Sequence, residues 1–381
     1  MIAACTAALL SGVGLAQAMS GWLAVRRFMR HARQSELSDP PPVTVLKPLH
    51  GDEPLLEQAL ECVCVQDYPA AWQVVFGVSR PDDAALPVVQ RLRSRFPGRD
   101  LAVVVDETIH GPNRKVGNLI NMLSAAKHDV LVIADSDVHV APDWLRQLAG
   151  ALAHPGVGLV TTIYTGFPAS GVATLGAAQI NHYFLPGALL ARSLGRQDCL
   201  GATMALTRET LARVGGLASL VDHLADDNVL GRLVQRLGLK VVLADTVPST
   251  TVPEATLGAL WRHELRWART IRALEPAQFA ASVLQYPIAW AVLAVLLARG
   301  AAWSIAWFAA AWILRGLIAL ATDRALRLGP NHARQGLAKR SPVWLLPVRE
   351  LMSVGVMIAS YTGRRVDWRG HTMQAEGFNP R

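Results

Sequence analysis

Two aspartates separated by one residue follow an apolar run in the middle of the chain. Residues 130–134 are all apolar, and Asp135 and Asp137 come directly after them. Such a run is typical of a strand buried on both faces, and open α/β sheets bind ligands where strands end. Paired carboxylates there suit Mg²⁺ or Mn²⁺, which would in turn hold a diphosphate. A turn with two solvated aspartates is the competing interpretation of this motif alone.

A second group of acids, in residues 222–228, precedes a predicted amphipathic helix whose apolar positions run from 229 to 237. Asp226 and Asp227 stand closest to this helix. Aspartate is favoured at helix N-termini, where it caps free N–H groups and interacts well with the helix dipole. These residues alone do not separate capping from a chemical role.

The segment 261–272 alternates aromatic and basic residues. One interpretation is an amphipathic helix on the membrane surface, with snorkelling arginines and an interfacial tryptophan. The other is that one arginine and one tryptophan line a site for a phosphate-bearing donor, and both can hold in one helix. Helical spacing predicts a basic and an apolar face: Arg262, Arg266 and Arg269 on the first, Trp261, Leu265 and Ala268 on the second.

The elements that must position these residues alternate between strand and helix. The middle of the chain, about 210 residues, is long enough for one large α/β domain. The alternation predicts a mostly parallel sheet covered by helices. Strands are predicted at 43–49, 72–78, 101–105, 130–134 and 157–163, and helices at 53–66, 86–96, 116–127 and 142–153.

Composition indicates a membrane protein with a cytoplasmic domain. Of the 381 residues 51% are hydrophobic, and the net charge is +8. Many arginines adjoin apolar segments, which favours an anionic membrane surface as partner. The sequence contains no zinc-finger spacing, RNA-binding motif or basic helix, so nucleic acid is excluded as a partner. Its four cysteines form no Cys-x-x-Cys pair, which indicates neither a zinc site nor a disulfide framework.

The N-terminal residues 1–25 are apolar and long enough to span a bilayer. No basic residue precedes the apolar run, which argues against a signal peptide. A basic, Pro-rich linker follows at 26–42. Because positive residues stay on the cytoplasmic side, we expect an anchor whose N-terminus lies outside.

The C-terminal part is predicted to contain more membrane segments. An amphipathic interfacial helix at 255–275 precedes a transmembrane hairpin at 282–321 and a basic cytoplasmic loop at 322–341. The apolar segment 342–361 contains Arg349 and Glu350, so both a spanning and a re-entrant arrangement stay open. The charge rule favours the re-entrant one, because it keeps the basic tail 362–381 inside.

Taken in order, these motifs resemble family 2 (GT-A fold) glycosyltransferases of the ceramide glucosyltransferase type. Residues 113–119 also resemble the Asn-x-Lys-x-x-Asn-Leu loop of that family, and residues 201–208 its strand beside the acceptor site. His263 departs from the pattern, because it stands at the first position of a Gln/Arg-x-x-Arg-Trp motif. The matching positions are Asp83 with Asp82 beside it, Asp135 and Asp137, Asp227 with Asp226, and Arg266 with Trp267.

The resemblance implies a GT-A domain at 43–254, flanked by transmembrane helices. It implies a divalent cation, Mg²⁺ or Mn²⁺, on Asp135 and Asp137, and Asp227 as the catalytic base with Asp226 as its rival. Donor and acceptor contacts are also implied: Asp82, Asp83, Lys115, Asp135, Arg266 and Trp267 on the side of the UDP-sugar, Trp261, Arg262 and His263 on the side of a lipid acceptor.

Within this group, residues 181–187, 224–227 and 260–272 are most similar to hopanoid-biosynthesis glycosyltransferases, in which His263 would be a subfamily trait. That resemblance implies transfer of N-acetylglucosamine from its UDP donor to bacteriohopanetetrol. It places a multi-pass protein in a bacterial-type inner membrane, with the catalytic domain facing the cytoplasm. The alternatives are a ceramide glucosyltransferase that uses UDP-glucose, a processive polysaccharide synthase and an inactive membrane scaffold.

Overall fold

The computed structural model describes residues 1–31, 39–327, 342–368 and 371–374. The chain forms two compact units. The first, here called the sheet unit, comprises His31–Thr165 and Gly195–Pro253. The second, here called the helical unit, comprises Met1–Arg30, Gly166–Leu194 and Glu254–Arg381.

The strands and helices are numbered along the chain. The strands are β1 (Val43–Pro48), β2 (Trp72–Val78), β3 (Asp100–Val105), β4 (Val130–Ala134), β5 (Val138–His139), β6 (Val157–Thr161), β7 (Thr165–Pro168), β8 (Thr203–Thr207), β9 (Lys240–Leu243), β10 (Ser249–Val252), β11 (Arg365–Trp368) and β12 (His371–Gln374). The α-helices are α1 (Ile2–His31), α2 (Leu56–Cys64), α3 (Leu86–Arg95), α4 (Arg114–Leu123), α5 (Trp144–Leu152), α6 (Ala173–Gln179), α7 (Leu185–Ser193), α8 (Arg208–Arg213), α9 (Asp226–Arg236), α10 (Leu257–Leu274), α11 (Pro276–Ala281), α12 (Pro287–Leu297), α13 (Ala302–Arg327) and α14 (Leu346–Ser360).

The sheet unit is built on a seven-stranded sheet in the order β3-β2-β1-β4-β8-β6-β9. Strand β8 runs antiparallel to β4 and β6, whereas the other neighbouring strands are parallel. All five residues of β4 are buried, as its unbroken apolar sequence predicted. The predicted mostly parallel α/β sheet is therefore confirmed, with a single antiparallel strand inside it.

A smaller sheet, in the order β5-β10-β7, lies beside the end of β4. Strand β10 pairs antiparallel with β5, and in this register Thr250 lies opposite Val138 and Ser249 opposite His139. The side chains of Ser249 and His139 are buried. This pairing brings a segment far along the chain next to the predicted metal-binding turn.

Within the described residues, the helical unit contains three helices that are long and apolar enough to cross a membrane: Ile2–Arg30, Ala302–Leu326 and Val343–Ser360. The first arm of the predicted hairpin at 282–321 is not one straight helix. The pair Pro276–Gln285 and Pro287–Leu297 is bent by 70°. Pro287 has no N–H and disfavours helical geometry at Tyr286, whose φ and ψ are −109° and 68°.

The domain boundaries expected from the sequence stay predictions. Inside the predicted catalytic segment 43–254, residues Gly166–Leu194 belong to the helical unit. They form α6, a π-helical turn at Ile180–Phe184 and α7. Parts of the predicted linker, basic loop and tail, at 32–38, 328–341, 369–370 and 375–381, lie outside the described residues.

Candidate functional site

The turn that follows β4 is held from several sides. The ammonium group of Lys47, on β1, donates hydrogen bonds to the carbonyl oxygens of Asp135 at 2.6 Å and Val138 at 3.4 Å. The hydroxyl of Ser136 donates to the carboxylate of Glu53. Lys47 is completely buried, and its hydrogen bonds fix the backbone of the turn.

Asp137 is held in addition by β10. The hydroxyl of Thr250 donates to its Oδ2 at 2.5 Å, and the N–H of Thr251 donates to its carbonyl oxygen at 3.1 Å. Burial, together with the charge of Asp135, raises the pKa of Asp137 to about 6. The two aspartates therefore form a partly buried pair whose negative charges repel each other.

This pair fits a hard divalent cation. Within the described part of the chain, no group of three or more His, Cys, Asp and Glu side chains is placed to hold a metal. The protein would thus supply the carboxylates of Asp135 and Asp137. Mg²⁺ and Mn²⁺ are commonly held in this way, by one or two carboxylates with water and phosphate oxygens in the remaining positions. A cation there would also relieve the repulsion that raises the pKa of Asp137.

Lys115 links this pair to the second acidic group. Its ammonium nitrogen lies 2.7 Å from Oδ1 of Asp135 and 3.7 Å from Oδ2 of Asp226. Burial lowers the pKa of Lys115, but the two carboxylates outweigh this effect and hold the pKa above its ordinary value. Lys115 is therefore a permanent positive charge between the acids.

The loop before α4 explains the spacing of the motif that contains Lys115. The side chain of Asn113 accepts a hydrogen bond from the N–H of Val116 at 3.0 Å, which caps α4. Its amide group also donates to the carbonyl of His223 at 2.8 Å, next to the acidic segment. One helical turn later, Asn118 donates to the carbonyl of Gly77 at 2.8 Å. The two asparagines thus fix the helix that presents Lys115.

Asp226 and Asp227 occupy the first turn of α9, whereas the N-cap residue is Ala225. Asp226 is buried and pairs with Lys115. Asp227 is half-buried, and its Oδ1 accepts the N–H of Asn228 at 2.8 Å. Burial and the charge of Asp226 raise the pKa of Asp227 to about 6, although Lys115 opposes them. Asp227 therefore combines accessibility with the affinity for a proton that a general base needs.

We expect Gly201→Ala to lower turnover by about tenfold or more, because small displacements of a catalytic group are costly. A Cβ atom at Gly201 would lie 2.8 Å from Oδ2 and 3.2 Å from Cβ of Asp227, so the carboxylate would have to move. Initial rates and thermal unfolding of the purified variant test this. Gly98→Ala is the matched control, since a Cβ atom there meets no other atom within 4 Å. Equal rates for both variants would contradict the prediction.

The two aspartates after β2 differ in their surroundings. Asp83 has a side chain only 5% exposed, and its Oδ1 accepts the N–H groups of Gly51 and Ala85, both at 2.9 Å. Asp82 is exposed and pairs with Arg80 at 2.8 Å. Two backbone hydrogen bonds therefore fix the side chain of Asp83, whereas Asp82 lies at the surface; the donor-binding roles of both stay predictions.

The remaining candidate residues lie on α10, in the helical unit. His263 shares a hydrogen bond with the carboxylate of Glu254, and its ring meets the edge of Trp267 at a centroid distance of 4.6 Å. Arg262 is exposed, Arg266 is half-buried, and the half-buried Trp261 packs in an apolar cluster. The predicted roles of these residues in donor and acceptor binding stay predictions.

Sequence analysis missed three residues that shape the site, namely Lys47, Glu53 and Thr250. A signal existed for Lys47, because it is the only charged residue in a strand whose six residues are all buried. Glu53 and Thr250 carried none, since they approach Ser136 and Asp137 from segments 83 and 113 positions away.

The chain is similar to known glycosyltransferases. The profile of Glycosyl transferase family 21 matches residues 6–377. Ceramide glucosyltransferase from Candida albicans is 32% identical over 116 residues, which are 28% of this chain and only 21% of that enzyme. Ceramide glucosyltransferase 3 from Caenorhabditis elegans is 21% identical over 374 residues, covering 92% of this chain and 76% of that enzyme.

A similar solved structure is the mannosyltransferase PcManGT from Pyrobaculum calidifontis, in complex with GDP-Man and Mn²⁺. The superposition has a TM-score of 0.50 at 21% sequence identity and covers 92% of this chain and 99% of that one. At this level of identity the likeness concerns the fold, which agrees with the predicted GT-A architecture.

Proposed function

Because this chain belongs to Glycosyl transferase family 21, we propose that it transfers a sugar from a UDP-sugar to the hydroxyl group of a membrane lipid. One observation carries the proposal: Lys115 joins Asp135 of the paired carboxylates to Asp226, next to Asp227. The proposed diphosphate site at Asp135 and Lys115 thus lies near the candidate base Asp227, and all three residues belong to the sheet unit.

The donor half of the reaction needs positive charge at the leaving group. A divalent cation held by Asp135 and Asp137 would supply Lewis-acid neutralisation of the diphosphate when bound. Lys115 contributes a fixed positive charge beside the same carboxylates, and it requires no reorganisation during the reaction. Asp83, with Asp82 beside it, is proposed to accept hydrogen bonds from the uracil or ribose. The motif resemblance adds Arg266 and Trp267 to the donor side.

The acceptor half needs a base. Asp227 takes the proton of the acceptor hydroxyl while that oxygen bonds to the anomeric carbon and the bond to the diphosphate breaks. UDP leaves with the electron pair of the broken bond, and the proton stays on the Asp227 carboxyl group until solvent removes it. A single displacement inverts the configuration, so an α-linked donor gives a β-linked product.

A lipid acceptor agrees with the helices that could span a membrane. Arg26, Arg27 and Arg30 follow the apolar part of α1, and the positive-inside rule places them on the cytoplasmic side. We therefore propose that the sheet unit faces the cytoplasm, where nucleotide sugars are available, at a bacterial-type inner membrane. Trp261, Arg262 and His263 are proposed to lie on the acceptor side.

For the substrates, the motifs around His263 favour UDP-N-acetylglucosamine and bacteriohopanetetrol, whereas the ceramide glucosyltransferases among the relatives favour UDP-glucose and ceramide. Detergent-solubilised protein assayed with both donors and both acceptors, with and without Mn²⁺ or Mg²⁺, separates them. Glycosylated hopanoid supports the first pair, and glucosylceramide supports the second. A polymeric product indicates a polysaccharide synthase; no product and no metal-dependent UDP binding indicate an inactive scaffold.

We expect turnover at saturating Mn²⁺ to fall as the pH drops through about 6, by about tenfold per pH unit below that value. The base must be unprotonated, and the pKa of Asp227 is raised to about 6, so the active form is lost on the acid side. Saturating metal keeps Asp137 deprotonated and removes its titration from the profile. A plot of log(kcat/KM) against pH that is flat from 7 to 4.5 would contradict this assignment.

A further inference from the structure

Two adjacent charged residues lie inside an apolar helix that could cross a membrane. Arg349, on α14, has a side chain only 1% exposed, and its guanidinium group forms a bidentate ion pair with the carboxylate of Glu264 on α10. Nη1 donates to Oε1 of Glu264 at 2.7 Å, and Nη2 donates to Oε2 at 2.6 Å. This two-point geometry fixes orientation as well as distance.

Glu350, the neighbouring charged residue, contacts a different helix. Glu350 is completely buried, and its Oε2 accepts the N–H groups of Ile288 at 2.7 Å and Ala289 at 3.1 Å, the first N–H groups of α12. Its Oε1 accepts the hydroxyl of Tyr183 at 3.0 Å. Oε1 of Glu350 also lies 3.7 Å from Nε of Arg315, on α13. Arg349 therefore contacts α10, whereas Glu350 contacts α12 and α13, and the two residues can be compared as matched variants.

The contact of α10 with α14 extends along one stripe of α10. Leu260, Glu264 and Ala268, spaced four residues apart, are the buried residues of that helix. At Gly355 of α14, an added Cβ atom would come within 3.2 Å of the Trp261 ring, so the two helices approach closely there. Among these three residues only Glu264 is charged, and Arg349 pairs with it.

The basic end of α10 is fixed in the same way. The guanidinium group of Arg269 donates to the carbonyl of Arg365 at 2.6 Å, and that of Arg272 donates to the carbonyl of Gly363 at 2.7 Å. Both carbonyls lie in the segment that follows α14. These two arginines therefore bind the chain's own backbone.

We infer that Arg349 is a positioning residue for Arg266 and Trp267, because its bond to Glu264 sets the rotation of α10 about its axis. Glu264 and Arg266 differ by two residues, or about 200° around the helix, so fixing the first determines the direction of the second. This inference rests on the proposed function, in which Arg266 and Trp267 act on the donor. An unpaired carboxylate in the same buried stripe would drive α10 to rotate or separate.

The test compares Arg349→Met with Glu350→Gln in the full-length protein in detergent. We expect Arg349→Met to lower kcat by on the order of 10- to 100-fold, since misplaced groups cost this much. The affinity for Mn²⁺ without nucleotide, measured by calorimetry, should stay within about twofold of wild type, because Asp135 and Asp137 lie in the sheet unit. Glu350→Gln should lower the Tm but change kcat by less than about threefold, since the hydrogen bonds of Glu350 go to Tyr183 and α12.

Two further variants separate positioning from general packing. Arg349→Lys keeps the positive charge but not the two-point geometry of the guanidinium group, and it should recover part of kcat. The double variant Glu264→Gln, Arg349→Met should have a kcat no lower than that of Arg349→Met alone, because it leaves no buried charge unpaired. Wild-type kcat for Arg349→Met would overturn the inference, and so would equal losses of kcat and Tm in Arg349→Met and Glu350→Gln. Failure of the wild-type protein to form product would instead contradict the proposed function on which the inference rests.

Discussion

Asp227→Asn is expected to lower kcat by on the order of 10²- to 10⁴-fold, the range for loss of a general base, while the affinity for UDP-sugar stays near that of wild type. Asparagine keeps the size of the side chain and can still accept the N–H of Asn228, which lies 2.8 Å away. It cannot take a proton from the acceptor. Steady-state turnover, together with calorimetric titration of UDP in the presence of Mn²⁺, measures both halves of this expectation.

Asp226→Asn is the matched comparison, because the two carboxylates are neighbours in the same helical turn. Asp226 pairs with Lys115, whose ammonium group also contacts Asp135. Loss of this pairing should therefore act mainly on donor binding, as a rise in the donor KM. Normal turnover of Asp227→Asn would refute its assignment as the base. Loss of kcat in Asp226→Asn alone, with an unchanged KM, would transfer the role to Asp226.

The sheet and the carboxylates at its edge were predictable, for local reasons. The apolar run of β4 ends directly at Asp135, and a buried strand that ends in two acids allows few other arrangements. Lys115 was predictable from the family resemblance of its loop, and the structure adds the asparagine contacts that hold it. The roles of these residues are still predictions, whereas their proximity within the sheet unit is observed.

The supports beneath the site could not be predicted, because they depend on register between distant segments. Lys47 reaches the carbonyl of Asp135 across 88 positions of sequence, and Thr250 reaches Asp137 across 113. Their contacts follow from the order β1-β4 and from the pairing of β10 with β5. Periodicity along one strand contains no information on which strand becomes its neighbour.

In the helical unit, composition indicated apolar segments but not their geometry. The bend at Tyr286 had a signal in the sequence, since a proline disfavours helical geometry at the residue before it. The charges of Arg349 and Glu350 argued against a span, yet both are buried and paired, which removes the main cost of placing them in a membrane. Which helix each would pair with depends on tertiary packing alone.

Asp137→Asn is expected to abolish Mn²⁺-dependent UDP binding and to lower turnover by on the order of 10³-fold or more, the several kcal/mol that a metal ion contributes at a leaving group. The substitution leaves Asp135 as the only carboxylate of the pair. Burial and the charge of Asp135 disfavour the ionised form of Asp137 and raise its pKa, so the variant, which carries no charge there, should fold at least as well as wild type. Electron paramagnetic resonance of Mn²⁺, titrated with and without UDP, reads metal binding independently of turnover.

Two controls make this result specific to the metal. Asp100→Asn removes an exposed carboxylate from the same unit and should leave both Mn²⁺ binding and turnover unchanged. Thr250→Val removes only the hydroxyl that donates to Oδ2 of Asp137, so it should weaken Mn²⁺ binding by less than the loss of the carboxylate itself. If Asp137→Asn kept wild-type Mn²⁺ affinity and turnover, the two aspartates after β4 would have to be assigned to the structure of the turn. Lys115 would then be the main positive charge available to the diphosphate, because its ammonium group lies within ion-pair distance of both Asp135 and Asp226.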